Sequence, residues 1–74
     1  MNSSIRLYIE GLEQDETQEK VKNQLENIIG VQEVSLSAGQ IYLDVNYDEQ
    51  TSDKEINNHL QNNGYNIMDI NKVI

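Results

Sequence analysis

Carboxylates are the most abundant side chains that could do chemistry in this sequence of 74 residues, which has 13 acidic residues, one histidine and no cysteine. Five of them crowd one short stretch: Glu10, Glu13, Asp15, Glu16 and Glu19. Carboxylates are ligands for hard cations such as Ca²⁺, Mg²⁺ and Mn²⁺. The spacing matches no calcium-binding loop, however, and acidic side chains at the start of a helix are stabilised by its dipole. We interpret the stretch as a solvated acidic face, with weak carboxylate binding of a hard cation as an alternative.

Sites for soft metals and for catalysis find little support among the other side chains. A chain without cysteine has no disulfide, no thiolate metal site and no cysteine nucleophile. His59 has no second histidine or cysteine to complete a zinc site, so we predict it to be a surface or boundary residue. The sequence shows neither the residue order of a serine hydrolase nor a glycine-rich phosphate loop. We therefore predict no enzymatic activity, no catalytic residue and no cofactor.

Alternating apolar and polar residues predict the strands that would position these side chains. The two clearest alternations span residues 5–10 and 41–47, and a period of two indicates a half-buried strand. Their predicted inward-facing residues are Ile5, Leu7, Ile9, Ile41, Leu43 and Val45. Weaker patterns predict strands over 31–36 and 65–70, with a turn at Gly39 between the second and third strands. Met68 falls on a predicted core position of the last strand.

Helical periodicity predicts two helices between these strands. The first spans residues 17–29, and its apolar residues recur at helical spacing on one face. They are Val21, Leu25, Ile28 and Ile29. The second helix opens at Ser52, which forms a capping-box pattern with Glu55, and it directs Ile56 and Leu60 inward before ending at Gly64.

The resulting β-α-β-β-α-β order predicts an α+β protein with the ferredoxin-like sandwich, in which two helices cover one face of a four-stranded antiparallel sheet. The two halves support this prediction, because Gly30 matches Gly64 and Val34 matches Met68 in the same order of elements. We expect the whole chain, 1–74, to form one domain.

The other sheet face would be open, and it would carry polar and aromatic side chains. They are Arg6, Tyr8, Tyr42 and Asp44. In RNA-recognition domains of this topology, aromatic residues on the open face stack on bases. The formal net charge of −8 argues against nucleic acid and anionic membranes as partners. We interpret the tyrosines as shielding the sheet or contributing to a protein contact.

An ordered set of short motifs resembles the heavy-metal-associated domain family, which includes soluble copper chaperones and the N-terminal modules of metal-exporting ATPases. The resemblance runs from about Ile5 to Ile70. The residues that carry it are Gly11-Leu12, Val21, Leu25, Gly30-Val31, Val34-Ser35-Leu36, Val45-Asn46-Tyr47-Asp48, Ser52 and Gly64-Tyr65. It implies a ferredoxin-like fold and a loop of the form G-M-x-C-x-x-C, which in the family opens the first helix and binds the metal.

The sequence departs from this family at the metal loop itself. The loop reads Gly11-Leu12-Glu13-Gln14-Asp15-Glu16-Thr17, so Gln14 and Thr17 occupy the positions of the two metal-binding cysteines. A soft ion such as Cu(I) needs soft ligands, and amide and hydroxyl oxygens do not replace thiolates. The resemblance therefore implies no metal at this loop, but it does imply a surface that faces a protein partner. We expect that surface to consist of Leu12, Gln14, Thr17 and Tyr65.

Taken with the composition, the resemblance predicts a cysteine-less, metallochaperone-like protein-interaction module related to metal transport. No apolar run is long enough for a membrane helix, and the first residues lack the profile of a signal peptide, so we expect a cytoplasmic monomer with a protein partner. The alternative is a regulatory domain resembling the ACT domains, which share the topology and bind amino acids between paired protomers.

Overall fold

Six regular elements follow one another in a computed structural model that describes residues 2–73, and their order is the predicted β-α-β-β-α-β. They are β1 (Ser3–Ile9), α1 (Asp15–Glu26), β2 (Val31–Leu36), β3 (Tyr42–Tyr47), α2 (Asp53–Asn62) and β4 (Ile67–Lys72). The strands form one antiparallel sheet in the order β2-β3-β1-β4. The ferredoxin-like α+β fold is thereby confirmed. Neither helix of the described region has the length and apolar content needed to cross a membrane.

The core forms between the helices and the sheet face that they cover. Inward-facing residues of β1 pair with inward-facing residues of β3, as Ile5 does with Val45 and Leu7 with Leu43. Both helices direct their apolar stripes at this face, so that their side chains leave water. The fully buried side chains are Ile5, Leu7, Ile9, Leu12, Val21, Leu25, Leu43, Val45, Ile56 and Leu60.

Helix α1 ends three residues earlier than its periodicity predicts, and this changes the placement of two isoleucines. The chain leaves the helix at Asn27 and turns through Gly30, which has a φ of 105°. Ile28 still packs partly against the core, but Ile29 is 76% exposed, so its predicted inward orientation was wrong. The helical spacing of residues 28 and 29 does not apply to a chain that has already begun to turn.

Two further residues predicted in the core lie outside it because of local irregularities in the sheet. Strand β3 begins at Tyr42, so Ile41 precedes the strand and is 40% exposed. In β4 the register shifts between Ile67 and Asp69, which makes Met68 the extra residue of a bulge. Met68 is therefore exposed and does not occupy the predicted core position.

Helix α2 carries the capping signals that its sequence predicts at both ends. The Ser52 hydroxyl accepts a hydrogen bond from the Glu55 backbone N–H at 3.2 Å. At the other end, Gly64 adopts a φ of 91° and its N–H donates to the Gln61 carbonyl. The Tyr65 N–H donates to the Leu60 carbonyl at 3.1 Å, which completes a Schellman motif.

Candidate functional site

The loop between β1 and α1 is anchored to the core by one buried apolar side chain. The Leu12 N–H donates to the Ile9 carbonyl at 3.2 Å, and the Leu12 side chain is fully buried in the core. Burial removes it from any surface that a partner can touch, so its predicted place in the contact surface is corrected. Leu12 instead fixes the height and direction of the loop that leads into α1.

Gln14 and Thr17 both lie at the start of α1, which is where the metal-binding loop of the resembled family would place them. Gln14 is the residue before the first helical position, and its side chain is exposed and makes no capping hydrogen bond. Thr17 lies three residues later in the first turn and is half-buried. The N-cap position and the first turn both lie at the N-terminal end of a helix. An amide and a hydroxyl therefore stand at the positions that the resemblance assigns to two thiolates.

The turn between α2 and β4 packs beside this loop through paired hydrogen bonds. The Glu10 N–H donates to the Asn66 carbonyl at 3.0 Å, and the Asn66 side-chain amide donates to the Glu10 carboxylate at 2.7 Å. Tyr65 precedes Asn66 and packs against the core while staying half-buried. The turn at Gly64-Tyr65, which was predicted to lie beside the loop, is thus at the same end of the molecule. One side of Tyr65 packs against the core, and the other is accessible to solvent.

A third connection, the hairpin between β2 and β3, is tied to the same end by Gln18. The Gln18 amide donates to the Ser37 carbonyl at 3.0 Å, and its side chain is buried. A glutamine in a helix does not by itself indicate a residue that positions a loop. A signal was present, because position 18 continues the helical stripe of Val21 and Leu25. We call the three connections, residues 10–14, 37–41 and 63–66, together with the first turn of α1, residues 15–17, and Met68, the loop end.

Two exposed apolar side chains flank the last residue of β1 at the loop end. Ile41 lies on one side, where its carbonyl accepts a hydrogen bond from the Ile9 N–H at 2.8 Å. Met68 lies on the other side, at the bulge where Ile9 pairs with Ile67. Ile41 is 40% and Met68 49% exposed. The structure thus leaves two accessible apolar side chains at the end of the sheet where the β1–α1 loop begins.

The acidic residues of the loop end surround this surface without converging on one point. The Glu10 carboxylate is engaged by Asn66, and Glu16 pairs with Lys20 at 3.2 Å along α1. Within residues 2–73, no group of three or more histidine, aspartate and glutamate side chains is arranged to hold a metal ion. His59 lies half-buried, with its Nε2 atom 3.2 Å from the Gln24 side-chain oxygen on α1, and is the predicted boundary residue.

The open face of the sheet carries the four side chains predicted there, and they form one cluster. The Arg6 guanidinium donates to both oxygens of Asp44, at 2.8 Å and 3.1 Å. The same guanidinium lies 4.4 Å from the centre of the Tyr42 ring, and the rings of Tyr8 and Tyr42 are 5.8 Å apart. The hydrogen bond to Asp44 is the main cause that raises the pKa of Arg6 above its usual value.

Solved structures, one of them a metallochaperone, resemble this architecture over nearly its whole length. The CsoZ metallochaperone aligns with a TM-score of 0.79 and 23% identity, over 93% of this chain and 100% of that one. Oxidized MerP from Ralstonia metallidurans CH34 aligns with a TM-score of 0.80 and 18% identity, over 93% and 100%. The chain has the fold of a metallochaperone.

A third solved structure extends the similarity to transporter modules. The N-terminal domain of a potential copper-translocating P-type ATPase from Bacillus subtilis, solved in its Cu(I)-loaded state, aligns with a TM-score of 0.77 and 18% identity. The alignment covers 97% of this chain and 88% of that domain. No protein-family model and no curated protein matches the sequence. At these identities the similarity is one of fold, and the chemistry of the loop depends on its own residues.

Proposed function

We propose that this chain is a heavy-metal-associated-like domain without a thiolate site, which acts in metal transport as a protein-interaction module. The observation that carries the proposal is the placement of Gln14 and Thr17 at the start of α1 in a metallochaperone fold. A chain with no cysteine cannot offer Cu(I) a pair of thiolates, whatever its fold. What the loop end retains is an accessible surface, which is the part of a metallochaperone that meets another protein.

The loop end has the composition that a protein contact requires. Ile41 and Met68 supply apolar area, and Gln14 supplies an exposed amide. The carboxylates around them form a charged rim. Interfaces commonly combine an apolar centre with a polar rim, and a rim of one sign favours partners of the opposite charge. We therefore expect a partner protein with a basic surface.

A capture experiment with charge-matched variants tests this contact. The full chain, immobilised and exposed to extract from its own source cells, should retain a partner that Gln14→Arg loses, because arginine places bulk and positive charge at the centre of the loop end. Asn58→Arg makes the same charge change at an exposed position of α2 and should leave capture intact. Equal capture by wild type and Gln14→Arg, or equal loss in both variants, would show that the loop end is not the contact surface.

A further inference from the structure

The open sheet face holds a second pair of aromatic and acidic side chains that the contact at the loop end does not use. Tyr8 on β1 is directly opposite Asp69 on β4. Their neighbours Leu7 and Ile70 pair on the face that the helices cover, so Tyr8 and Asp69 point to the open face. Side chains directly opposite in an antiparallel pair lie close enough to act together.

The neighbouring cluster shows what such a pair can bind. Arg6 lies over the ring of Tyr42 and is held by both oxygens of Asp44. The guanidinium therefore donates two charge-assisted hydrogen bonds and makes a cation–π contact at once, and its planar shape suits both. Tyr42 lies on the same strand as Asp44, two residues before it. This face thus already contains one arginine bound by a tyrosine and an aspartate.

Tyr8 and Asp69 provide the same two kinds of group. Tyr8 also hydrogen-bonds Arg6, which contributes to the raised pKa of that guanidinium, but no cation among residues 2–73 pairs with Asp69. The Asp69 carboxylate accepts the Ile70 N–H at 2.9 Å and a long contact of 3.5 Å from the Asn71 amide. The Asp69 side chain is exposed and Tyr8 is half-buried, so both are accessible from solvent.

We propose that Tyr8 and Asp69 bind an arginine side chain of a protein partner on the open sheet face. Charge complementarity favours this occupant, because the chain carries a net charge of −8 and its nearest guanidinium, that of Arg6, is already paired with Asp44. A guanidinium can lie on the Tyr8 ring and donate to Asp69, whereas the ammonium of lysine is a compact, strongly hydrated charge. This site is on a different surface from the loop end, so a negative result at one surface leaves the proposal for the other unaffected.

A titration with three short peptides tests the proposal on the full chain. The probes are acetyl-Gly-Gly-Arg-Gly-Gly-amide and its counterparts with citrulline or lysine in place of arginine. The backbone amides of residues 6–8 and 69–71 should shift saturably in ¹⁵N NMR spectra with the arginine peptide. Citrulline keeps the shape and removes the charge, so its peptide should bind roughly two- to fivefold more weakly or not at all. Equal binding of the lysine peptide, or shifts centred on residues 10–14, would overturn the proposal.

Variants with a matched charge change separate the site from general attraction to an acidic protein. Asp69→Asn and Tyr8→Leu should each weaken the arginine peptide by roughly two- to fivefold, whereas Tyr8→Phe keeps the ring and should preserve binding. Glu26→Gln removes one negative charge from the end of α1, away from the open face, and should have no effect. An equal effect of Glu26→Gln and Asp69→Asn would overturn the proposal. So would self-association of the free protein that Asp69→Asn abolishes, because the occupant would then be a second copy.

Discussion

Two residues at the start of α1, Gln14 and Thr17, determine which ligands the loop end can take. Both are neutral and offer oxygen, so they provide neither the softness nor the negative charge that Cu(I) finds in a pair of thiolates. Their position, in contrast, is favourable for thiolates. A helix N-terminus lowers the pKa of a cysteine placed there, because unpaired N–H groups and the helix dipole stabilise the anion.

Placing cysteine at these two positions should therefore create a Cu(I) site. We expect the wild-type protein to lose Cu(I) to a moderate chelator in equilibrium dialysis, and the double variant Gln14→Cys, Thr17→Cys to retain it nearly stoichiometrically. The backbone already places both side chains at one turn of α1. Retention is measured as the ratio of copper to protein after dialysis against the chelator.

A second double variant controls for thiol content. Asn58→Cys with Gln61→Cys has the same spacing on the exposed surface of α2, away from the helix start, and should retain less copper. Near-stoichiometric retention by the wild type would contradict the proposed loss of metal binding. If the loop variant is folded but retains no more copper than the α2 variant, then Gln14 and Thr17 do not correspond to the two cysteines of the family's metal loop.

At the scale of the elements, the turn between α1 and β2 depends on Gly30. The Gly30 carbonyl accepts the Asp48 N–H at 2.8 Å, and a Cβ atom at Gly30 would lie 2.9 Å from the Thr51 backbone nitrogen. The turn is thus seated directly on the loop between β3 and α2. Its left-handed backbone and the absence of a side chain are both needed for this approach.

Gly30→Ala should lower the free energy of unfolding by roughly 2 to 4 kcal/mol, because it combines left-handed strain with a clash against backbone. Gly39→Ala is the matched control, since Gly39 is also left-handed, at a φ of 76°, but a Cβ atom there would meet nothing within 4 Å. We expect it to cost only the strain, about 1 to 2 kcal/mol. Urea unfolding of both variants gives the comparison, and equal losses would mean that the contact with Thr51 is unimportant.

The element order was predictable from the sequence because period and turn signals agreed, and the errors occurred where an element ends. Apolar spacing continues through Ile28 and Ile29, but the backbone has already left α1 at Asn27. Alternation likewise does not reveal a bulge, so Met68 was assigned to the wrong face. Periodicity reports which residues are apolar, while the end of a helix or a register shift is decided by packing against other elements.

At the scale of the whole molecule, the surface is acidic and unevenly neutralised. The chain has 5 basic residues against 13 acidic ones. Arg6 is committed to Asp44 and Lys20 to Glu16, so two of the cations are already paired. A net charge of one sign keeps identical molecules apart and attracts oppositely charged partners. Identical copies should therefore repel one another, whereas a basic protein should be attracted.

We expect the free protein to sediment as a single chain over a wide range of concentrations, because like charge opposes self-association. Sedimentation velocity at low and moderate ionic strength measures this directly. The ACT-like alternative requires paired protomers, so it predicts a dimer that responds to an added amino acid. A stable dimer of that kind would favour the regulatory function over the interaction module.

The site residues were less predictable than the fold, since the role of a side chain depends on whether it is buried or exposed. The resemblance assigns Gln14 and Thr17 to the loop that opens α1, and in the structure Gln14 precedes the first helical residue while Thr17 lies in the first turn. Their part in a contact surface stays a prediction. The sequence did not indicate that Leu12 is buried in the core, because loops that follow a glycine are usually exposed. Nor did it indicate that Gln18, a polar residue on an inward stripe, would join the hairpin to α1.

The bulges in the sheet have a consequence for how this protein behaves among many copies of itself. The strands at both edges, β2 and β4, carry an irregularity: the register shifts between Val31 and Glu33, and again opposite Ile9. An edge strand with regular, unpaired backbone groups is a template for fibril growth, and a bulge interrupts that template. Both edges by which the sheet could extend from one molecule to the next are thus interrupted. We therefore expect edge-to-edge aggregation to be disfavoured, which leaves the loops and faces free for other proteins.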